Sequence, residues 1–315
     1  MNGSMTTLTF GDCLEGLRTL PAESHHALCT DPPFTAAGGS TNGRNSRADT
    51  QFFESWLRQV VTEACRVLRP DGCGFVFCDW RTIGVVESAF AASGSRMASS
   101  KAWRVSQALV WDRESIGLGS PFRNGFEMIA FVRGPDYRSC LPKDIGNVIR
   151  HRYPYGRHEF HGAEKPVELV AKLIGLAQVP AGGLVLDPFA GSGTTLVAAA
   201  GAGVSATGFE IELDTYEVAR TRLADVGVRV DPSAAVRAAR LAAGRCPECG
   251  AEVEWSLRSS RVGDSASARC VYSGYAFLSG QQALAFDAGR RCSWAGRVVR
   301  APGGLSRLTE VSIDR

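Results

Sequence analysis

Two short segments carry residues whose types and spacing could do chemistry. Residues 30–34 read Thr-Asp-Pro-Pro-Phe, and residues 187–195 read Asp-Pro-Phe-Ala-Gly-Ser-Gly-Thr-Thr. In the first, the Asp31 carboxylate and the Pro32 carbonyl can each accept one hydrogen of an amine. Pro32 and Pro33 stiffen the turn that presents them, and Phe34 offers a flat face to an aromatic ring. An exocyclic amine on a nucleobase is a poor nucleophile because its lone pair is delocalised into the ring. Two acceptors placed in this way localise the lone pair and take up a proton. In the second segment an apolar run, Leu184 to Leu186, leads into Asp187, then Gly191 and Gly193, then a helix. A strand–glycine loop–helix unit lets backbone approach a ligand closely, and the helix N-terminus favours negative charge. Phe209-Glu210 closes the next strand, where an acid can accept both hydroxyls of a ribose. No lysine follows the glycines, which speaks against a P-loop.

Asp-Pro-Pro alone is a common turn, and spaced glycines alone are a common structural loop. Together they resemble the S-adenosylmethionine-dependent DNA amino-methyltransferases, which make N6-methyladenine or N4-methylcytosine. The catalytic tetrapeptide precedes the cofactor loop, the permuted order of the beta class of that family. The resemblance covers about residues 8–226. It implies catalytic roles for Asp31, Pro32, Pro33 and Phe34 on a base extruded from double-stranded DNA. It implies a cofactor site built from Asp31, Asp187, Pro188, Phe189, Gly191, Ser192, Gly193, Thr194, Thr195, Glu210 and Ile211. Gly11-Asp12-Cys13 matches the family's opening and would put Asp12 and Cys13 at the adenine end of the cofactor; an Asp cap on the following helix is the plainer reading. His161 to Leu169 resembles the segment that precedes the cofactor loop in relatives, with Gly162 and Ala163 in place of Pro and Thr, and makes Lys165 a cofactor candidate. The family prefers Asp-Pro-Pro-Tyr for adenine and Ser-Pro-Pro-Tyr for cytosine. Asp31 therefore favours adenine, while Phe34 keeps the stacking face and lacks the hydroxyl. N4-cytosine transfer is the nearest alternative. An RNA or protein-amide methyltransferase, and a non-catalytic DNA-binding protein that kept the fold, are further ones.

The elements that must position these groups follow from periodicity. Strands are expected at Leu8–Phe10, Ala27–Thr30, Gly74–Cys78, Ala102–Trp111, Glu127–Arg133, Leu184–Leu186 and Ser205–Glu210. Helices are expected at Leu14–Leu20, Phe52–Leu68, Ile83–Ala92, Lys165–Ala177, Thr194–Ala202 and Asp214–Val226, with Pro70-Asp71-Gly72 stopping the second. Alternation of this kind predicts a doubly wound, mostly parallel sheet with helices on both faces. Target recognition is expected within 35–50, a polar loop with Arg44 and Arg47, and within 134–160. The latter interleaves Tyr137, Arg138, Lys143, Arg150, His151, Arg152, Tyr153, Tyr155, Arg157 and His158, a mixture suited to phosphate contact and base stacking.

The 315 residues allow one large domain, 1–230, a linker at 231–244 and a small Cys-rich module at 245–300 before a tail at 301–315. The net charge of +3 is too small to announce a nucleic-acid partner. Its distribution says more: residues 231–315 hold twelve Arg, no Lys and eight acids. No run approaches the length of a membrane span and no signal peptide is evident, so a reducing cytoplasm is expected. DNA is the expected partner, with a homodimer as the candidate assembly and no membrane. In that compartment Cys13, Cys29, Cys65, Cys73, Cys78 and Cys140 are expected to be buried free thiols.

Cys246 and Cys249 form a knuckle-like pair, and Cys270 and Cys292 are the partners left in the same small segment. Four thiolates there suit a structural zinc site in a ribbon-like module. Purified protein should carry about one zinc per chain, the stoichiometry of one closed tetrahedral site. Cys249→Ser should release the metal and loosen residues 245–300 while leaving the catalytic domain folded. Elemental analysis of protein purified without chelator checks this, and an absence of zinc removes the module.

Overall fold

The computed structural model describes residues 6–33, 47–93, 102–117, 121–153, 164–243, 253–258, 265–270 and 295–299. These fall into two units, Met1–Val230 and Asp231–Arg315.

The first unit is built on an eight-stranded sheet of order β1-β8-β7-β2-β3-β5-β4-β6. Its strands are β1 (Thr7–Phe10), β2 (His25–Thr30), β3 (Leu68–Cys78), β4 (Arg104–Asp112), β5 (Phe126–Arg133), β6 (Val148–Arg150), β7 (Leu184–Asp187) and β8 (Ser205–Glu210). Neighbours run parallel except at β3–β5 and β5–β4, so the sheet is mixed but mostly parallel. Helices α1 (Cys13–Thr19), α2 (Arg47–Val67) and α3 (Ile83–Ser93) pack with one another on one face. Their core includes Leu17, Leu57, Val61 and Phe90, packed with Leu28, Val76, Ala130, Leu186 and Phe209 from the sheet. Helices α4 (Val167–Ala177) and α5 (Thr194–Gly201) pack together, α4 also against β2 and β3; α6 (Leu213–Asp225) touches α5, β8 and β1. Wholly buried aliphatic side chains on both sides of central strands explain why these strands read as near-continuous apolar runs.

Three local features depart from the sequence expectations. Helix α2 begins at Arg47, inside the stretch expected as loop. Pro70-Asp71-Gly72 lies within β3 and not between a helix and a strand. The register jumps from His25↔Leu68 to Ala27↔Cys73, so the turn residues bulge out of a strand that has already begun. Backbone approaches so closely there that a Cβ on Gly72 would lie 2.5 Å from the His26 carbonyl, and one on Gly134 2.1 Å from that of Pro70. Strand β6 has three residues, too few to show a period.

The second unit contains α7 (Ala234–Ala242) and a three-stranded antiparallel sheet of β9 (Val253–Arg258), β10 (Ser265–Cys270) and β11 (Ala295–Val299), ordered β11-β10-β9. Cys246, Cys249 and Cys292 lie outside the described residues, and Cys270 is described only as the end of β10. No group able to hold a metal occurs among the described residues, and no described helix is long and apolar enough to cross a membrane. Of the other six thiols, Cys13, Cys29, Cys65, Cys73 and Cys78 are free and buried, with pKa values raised chiefly by burial. Cys140 is also free but exposed, since its segment runs along the surface.

His25 starts β2 at 2% exposure, between the Ser24 and Thr207 hydroxyls, each 2.9 Å from a ring nitrogen. Burial, helped by His26, lowers its pKa from 6.5 to about 4. The folded ring stays neutral where the unfolded one takes a proton, so its contribution is complete above pH 6.5 and is lost as the pH falls towards 4. That loss is on the order of 3 kcal/mol. Denaturant titrations should therefore show the stability advantage of wild type over His25→Gln shrinking across this window; a pH-independent difference would contradict it.

Candidate active site

Strands β2 and β7 are parallel neighbours whose connections leave in opposite directions, β2 through α2 to β3 and β7 through α5 to β8. Such a reversal opens a crevice beyond the carboxyl ends of the two strands, where α/β sheets bind ligands. Both ends carry an Asp-Pro pair, Asp31-Pro32 and Asp187-Pro188. Proline ends each strand because it cannot donate to the ladder.

The two ends are joined directly. Thr30 Oγ1 donates to Asp187 Oδ1 at 2.7 Å, and Thr195 Oγ1 donates to the Cys29 carbonyl at 3.3 Å. The Phe189 amide donates to the same Asp187 oxygen at 3.1 Å. Asp187 is 3% exposed, and burial raises its pKa to about 6 against the pull of its Thr30, Thr195 and Phe189 hydrogen bonds. These contacts of Asp187 hold the two loops together.

Gly191 and Gly193 take positive φ, +52° and +83°. At Gly193 a Cβ would also sit 3.0 Å from that of Ala219, so the packing of α6 adds to the preference for glycine that the positive φ sets. Gly193 is the N-cap of α5 and supplies no side-chain cap. The first amides of the helix therefore face the crevice mouth without a side-chain acceptor. Arg222 of α6 braces the loop from behind, donating to the Ser192 carbonyl (2.8 Å), Ser192 Oγ (2.9 Å) and Thr194 Oγ1 (3.2 Å), and pairing with Glu164 at 2.5 Å. Ser192, Thr194 and Thr195 are all buried.

Further along the same edge, Glu210 ends β8 beside Phe10, and its Oε1 accepts from the Glu212 amide at 2.7 Å. Burial holds its pKa above the ordinary glutamate range. Ile211 is exposed. Asp12 caps α1 through the Leu14 and Glu15 amides, the plainer of its two readings, and Cys13 packs into the core. Asp12, Asp31, Asp187 and Glu210 thus end or follow four neighbouring strands, β1, β2, β7 and β8, on one edge.

Lys165, the cofactor candidate of the segment before the loop, contacts the Asp31 end of the crevice. Its Nζ lies 2.5 Å from Asp31 Oδ2 and 3.5 Å from Glu127 Oε2, with the Phe77 ring 5.2 Å away. Glu127, on β5, is held in turn by Arg113 at 3.4 Å. The second Asp31 oxygen, Oδ1, is buried and has no hydrogen-bond partner among the described residues. Pro32 is buried and Pro33 exposed, while Phe34 lies outside the described residues, as do Arg44, Tyr155, Arg157 and His158. Within the expected recognition segment, Tyr153 is 6% exposed and lies under the Arg113 guanidinium (4.3 Å) beside Trp111, so its ring is not offered to a base. Tyr137 packs on Phe131. Sequence reasoning missed Thr30, Glu127, Glu164 and Arg222 as site residues. Thr30 opens the catalytic segment and Glu164 stands beside Lys165, so both are within reach of the sequence; Glu127 and Arg222 join the site through distant partners.

The fold and the paired loops define a class: Rossmann-like enzymes that act with a nucleotide-type cofactor at the crest of a parallel sheet. A family model described as DNA methylase, covering N6- and N4-methyltransferases, matches residues 25–221. The chain belongs to that family. DNA adenine methyltransferase YhdJ of Escherichia coli (strain K12) is 25% identical over 252 residues, covering 69% of this chain and 82% of its own. The structure of TTHA0409, a candidate DNA modification methylase of Thermus thermophilus in complex with S-adenosyl-L-methionine, superposes with a TM-score of 0.54. Identity is 25%, over 72% of this chain and 98% of that one. The cytosine-N4-specific PvuII methyltransferase has the same fold, with a TM-score of 0.55 and 17% identity, over 72% and 96% of the two chains. The protein is accordingly an S-adenosylmethionine-dependent DNA methyltransferase of the N6/N4 family.

Arg222→Met should leave the Glu164 carboxylate poorly compensated and the Ser192–Thr194 loop unbraced. A destabilisation of about 3 kcal/mol is expected, the scale for breaking a largely buried pair. Weaker S-adenosylmethionine binding should accompany it. Thermal melts and calorimetry check both, and an unchanged donor affinity would free Arg222 of this task.

Proposed function

We propose that the protein transfers the methyl group of S-adenosylmethionine to N6 of adenine in double-stranded DNA, with the target base turned out of the helix into the crevice. The observation that carries this is the Asp31 carboxylate. One oxygen is anchored by Lys165, and the other is buried and unspent, beside the loop that bears the cofactor glycines. A buried acceptor without a donor is costly unless a ligand supplies one. An exocyclic amine does so.

The residues fit the cofactor. The open α5 amides suit a carboxylate, the glycines admit close backbone approach, and Glu210 at the end of β8 suits ribose hydroxyls. When bound, S-adenosylmethionine supplies a methyl group on a positively charged sulfur. Asp31 Oδ1 accepts one hydrogen of the target amine and the Pro32 carbonyl accepts the other, so the lone pair points at that methyl group. Once the nitrogen is methylated, Asp31 would take up the extra proton that it carries. Phe34, by its place in the tetrapeptide, supplies the stacking face for the base. Trp80, 71% exposed with Arg81 beside it, follows β3 on the same edge and adds a second aromatic surface to the DNA-facing rim.

Adenine is favoured by aspartate in place of serine at position 31. Cys246, Cys249, Cys270 and Cys292 remain proposed zinc ligands, and the homodimer a proposed assembly.

Asp31→Ala should abolish methyl transfer and leave S-adenosylmethionine affinity within about a few-fold, because the carboxylate acts on the amine in the transition state. Nucleosides from DNA of a host expressing wild type should be enriched in N6-methyladenine by mass spectrometry. Dominant N4-methylcytosine would move the reading to the cytosine branch, and turnover by folded Asp31→Ala would remove the catalytic assignment.

A further inference from the structure

Asp31 is the first member of a row of alternating charges that crosses the sheet edge: Asp31 after β2, Lys165 ahead of α4, Glu127 on β5 and Arg113 after β4. The spacings are 2.5, 3.5 and 3.4 Å. The Lys165 side chain is 10% exposed, and those of Asp31 and Glu127 are 29% and 27% exposed. A cation so placed needs a task, since burying it costs free energy that a single imperfect pair does not return. None of the contacts of Lys165 described above reaches the glycine loop; its partners are the two carboxylates and the face of Phe77. Its neighbour Glu164 is the residue that turns to the loop, through Arg222. Consecutive residues therefore serve opposite sides of the crevice.

We infer that Lys165 is a positioning residue for the target base and not a cofactor ligand: it fixes Asp31 through Oδ2 so that Oδ1 alone meets the amine, and Glu127 tempers the lysine charge. This rests on the reading of Asp31 as the amine acceptor and assigns that acceptor its support.

The arrangement has an energetic logic. A carboxylate that must take a proton during the reaction needs a cation to hold its geometry, yet an unopposed cation would make it too weak a base. Glu127 shares Lys165 and offsets that effect. Burial favours the neutral amine, but Asp31 and Glu127 outweigh it and hold Lys165 above the ordinary lysine range. Among the described residues, Asp187 on β7, Cys29 on β2 and Cys78 on β3 are further titratable groups that feel Asp31. Both thiols are pushed far above neutrality by burial, so they stay uncharged in the working range. Asp187 is common to every variant below.

The test uses the full chain, tritiated S-adenosylmethionine and unmethylated bacterial DNA. Donor affinity is measured by calorimetry, and single-turnover rates at saturating donor are followed from about pH 5 to 9. Lys165→Met should keep the donor Kd within about threefold while the rate near neutrality falls by roughly thirtyfold or more. Its acidic fall-off should move to higher pH, because removing a cation favours the protonated carboxyl. Glu127→Gln should move the same fall-off to lower pH, because removing an anion favours the ionised one. Lys165→Arg should recover most of the rate. Opposite movements from two neighbouring substitutions are not produced by a packing defect. A donor Kd weakened about tenfold in Lys165→Met, with its saturated rate intact, would return Lys165 to the cofactor and overturn the inference, as would fall-offs that move together. A wild-type rate in Asp31→Asn would overturn the amine-acceptor reading as well, which separates the two failures.

Discussion

The hydrogen bond from Thr30 to Asp187 sets the geometry of everything above it. It ties the last residues of two neighbouring strands whose chains then leave in opposite directions. One loop carries the Asp31 carboxylate, and the other carries two glycines and a helix end. Methyl transfer needs nucleophile and donor in line within a fraction of an ångström, a tolerance that a tie between rigid strand ends can hold and a pair of free loops cannot. Thr195 and Phe189 add further links across or within the same junction.

Burial of Asp187 is the cost of that tie. Its carboxyl is carried to about 6, close to the range where the protein works, so the junction is held by a group that ionises reluctantly. The Thr30, Thr195 and Phe189 donors offset this only in part. A structure that keeps so unfavourable a group at its centre does so for placement of the site, since buried polar pairs contribute less to stability than to geometry.

The strand–helix alternation is legible in the sequence because central strands bury both faces and helices bury one, and these two patterns differ in period. The loop from Asp187 to Thr195 and the turn at Asp31-Pro32 are legible because glycine and proline carry their backbone geometry in their identity. What escapes is whatever depends on distant partners. Lys165 stands in a segment resembling the cofactor side, but its nearest partner is 134 positions away in the chain. Arg222 reads like any helix-surface arginine, and nothing in its neighbourhood announces Ser192. Tyr153 reads like an exposed base-stacking residue because its flanks are polar; the guanidinium that covers it comes from the β4 end. Pro70-Asp71-Gly72 reads as a stop between elements, but a bulge inside a strand carries the same residues.

The distance between Thr30 and Asp187 along the chain, 157 positions, also has a consequence in time. At a translation rate of roughly 5–20 residues per second, Asp31 leaves the ribosome about eight to thirty seconds before its neighbour on the sheet. Once β3 has followed, β2 can pair with it, but the slot reserved for β7 still stands open, and β1 waits longer for β8. The half that would hold the base therefore exists first without the half that would hold the methyl donor. A nascent or truncated chain carries no competent crevice, and chemistry begins only when the sheet closes around its own midline.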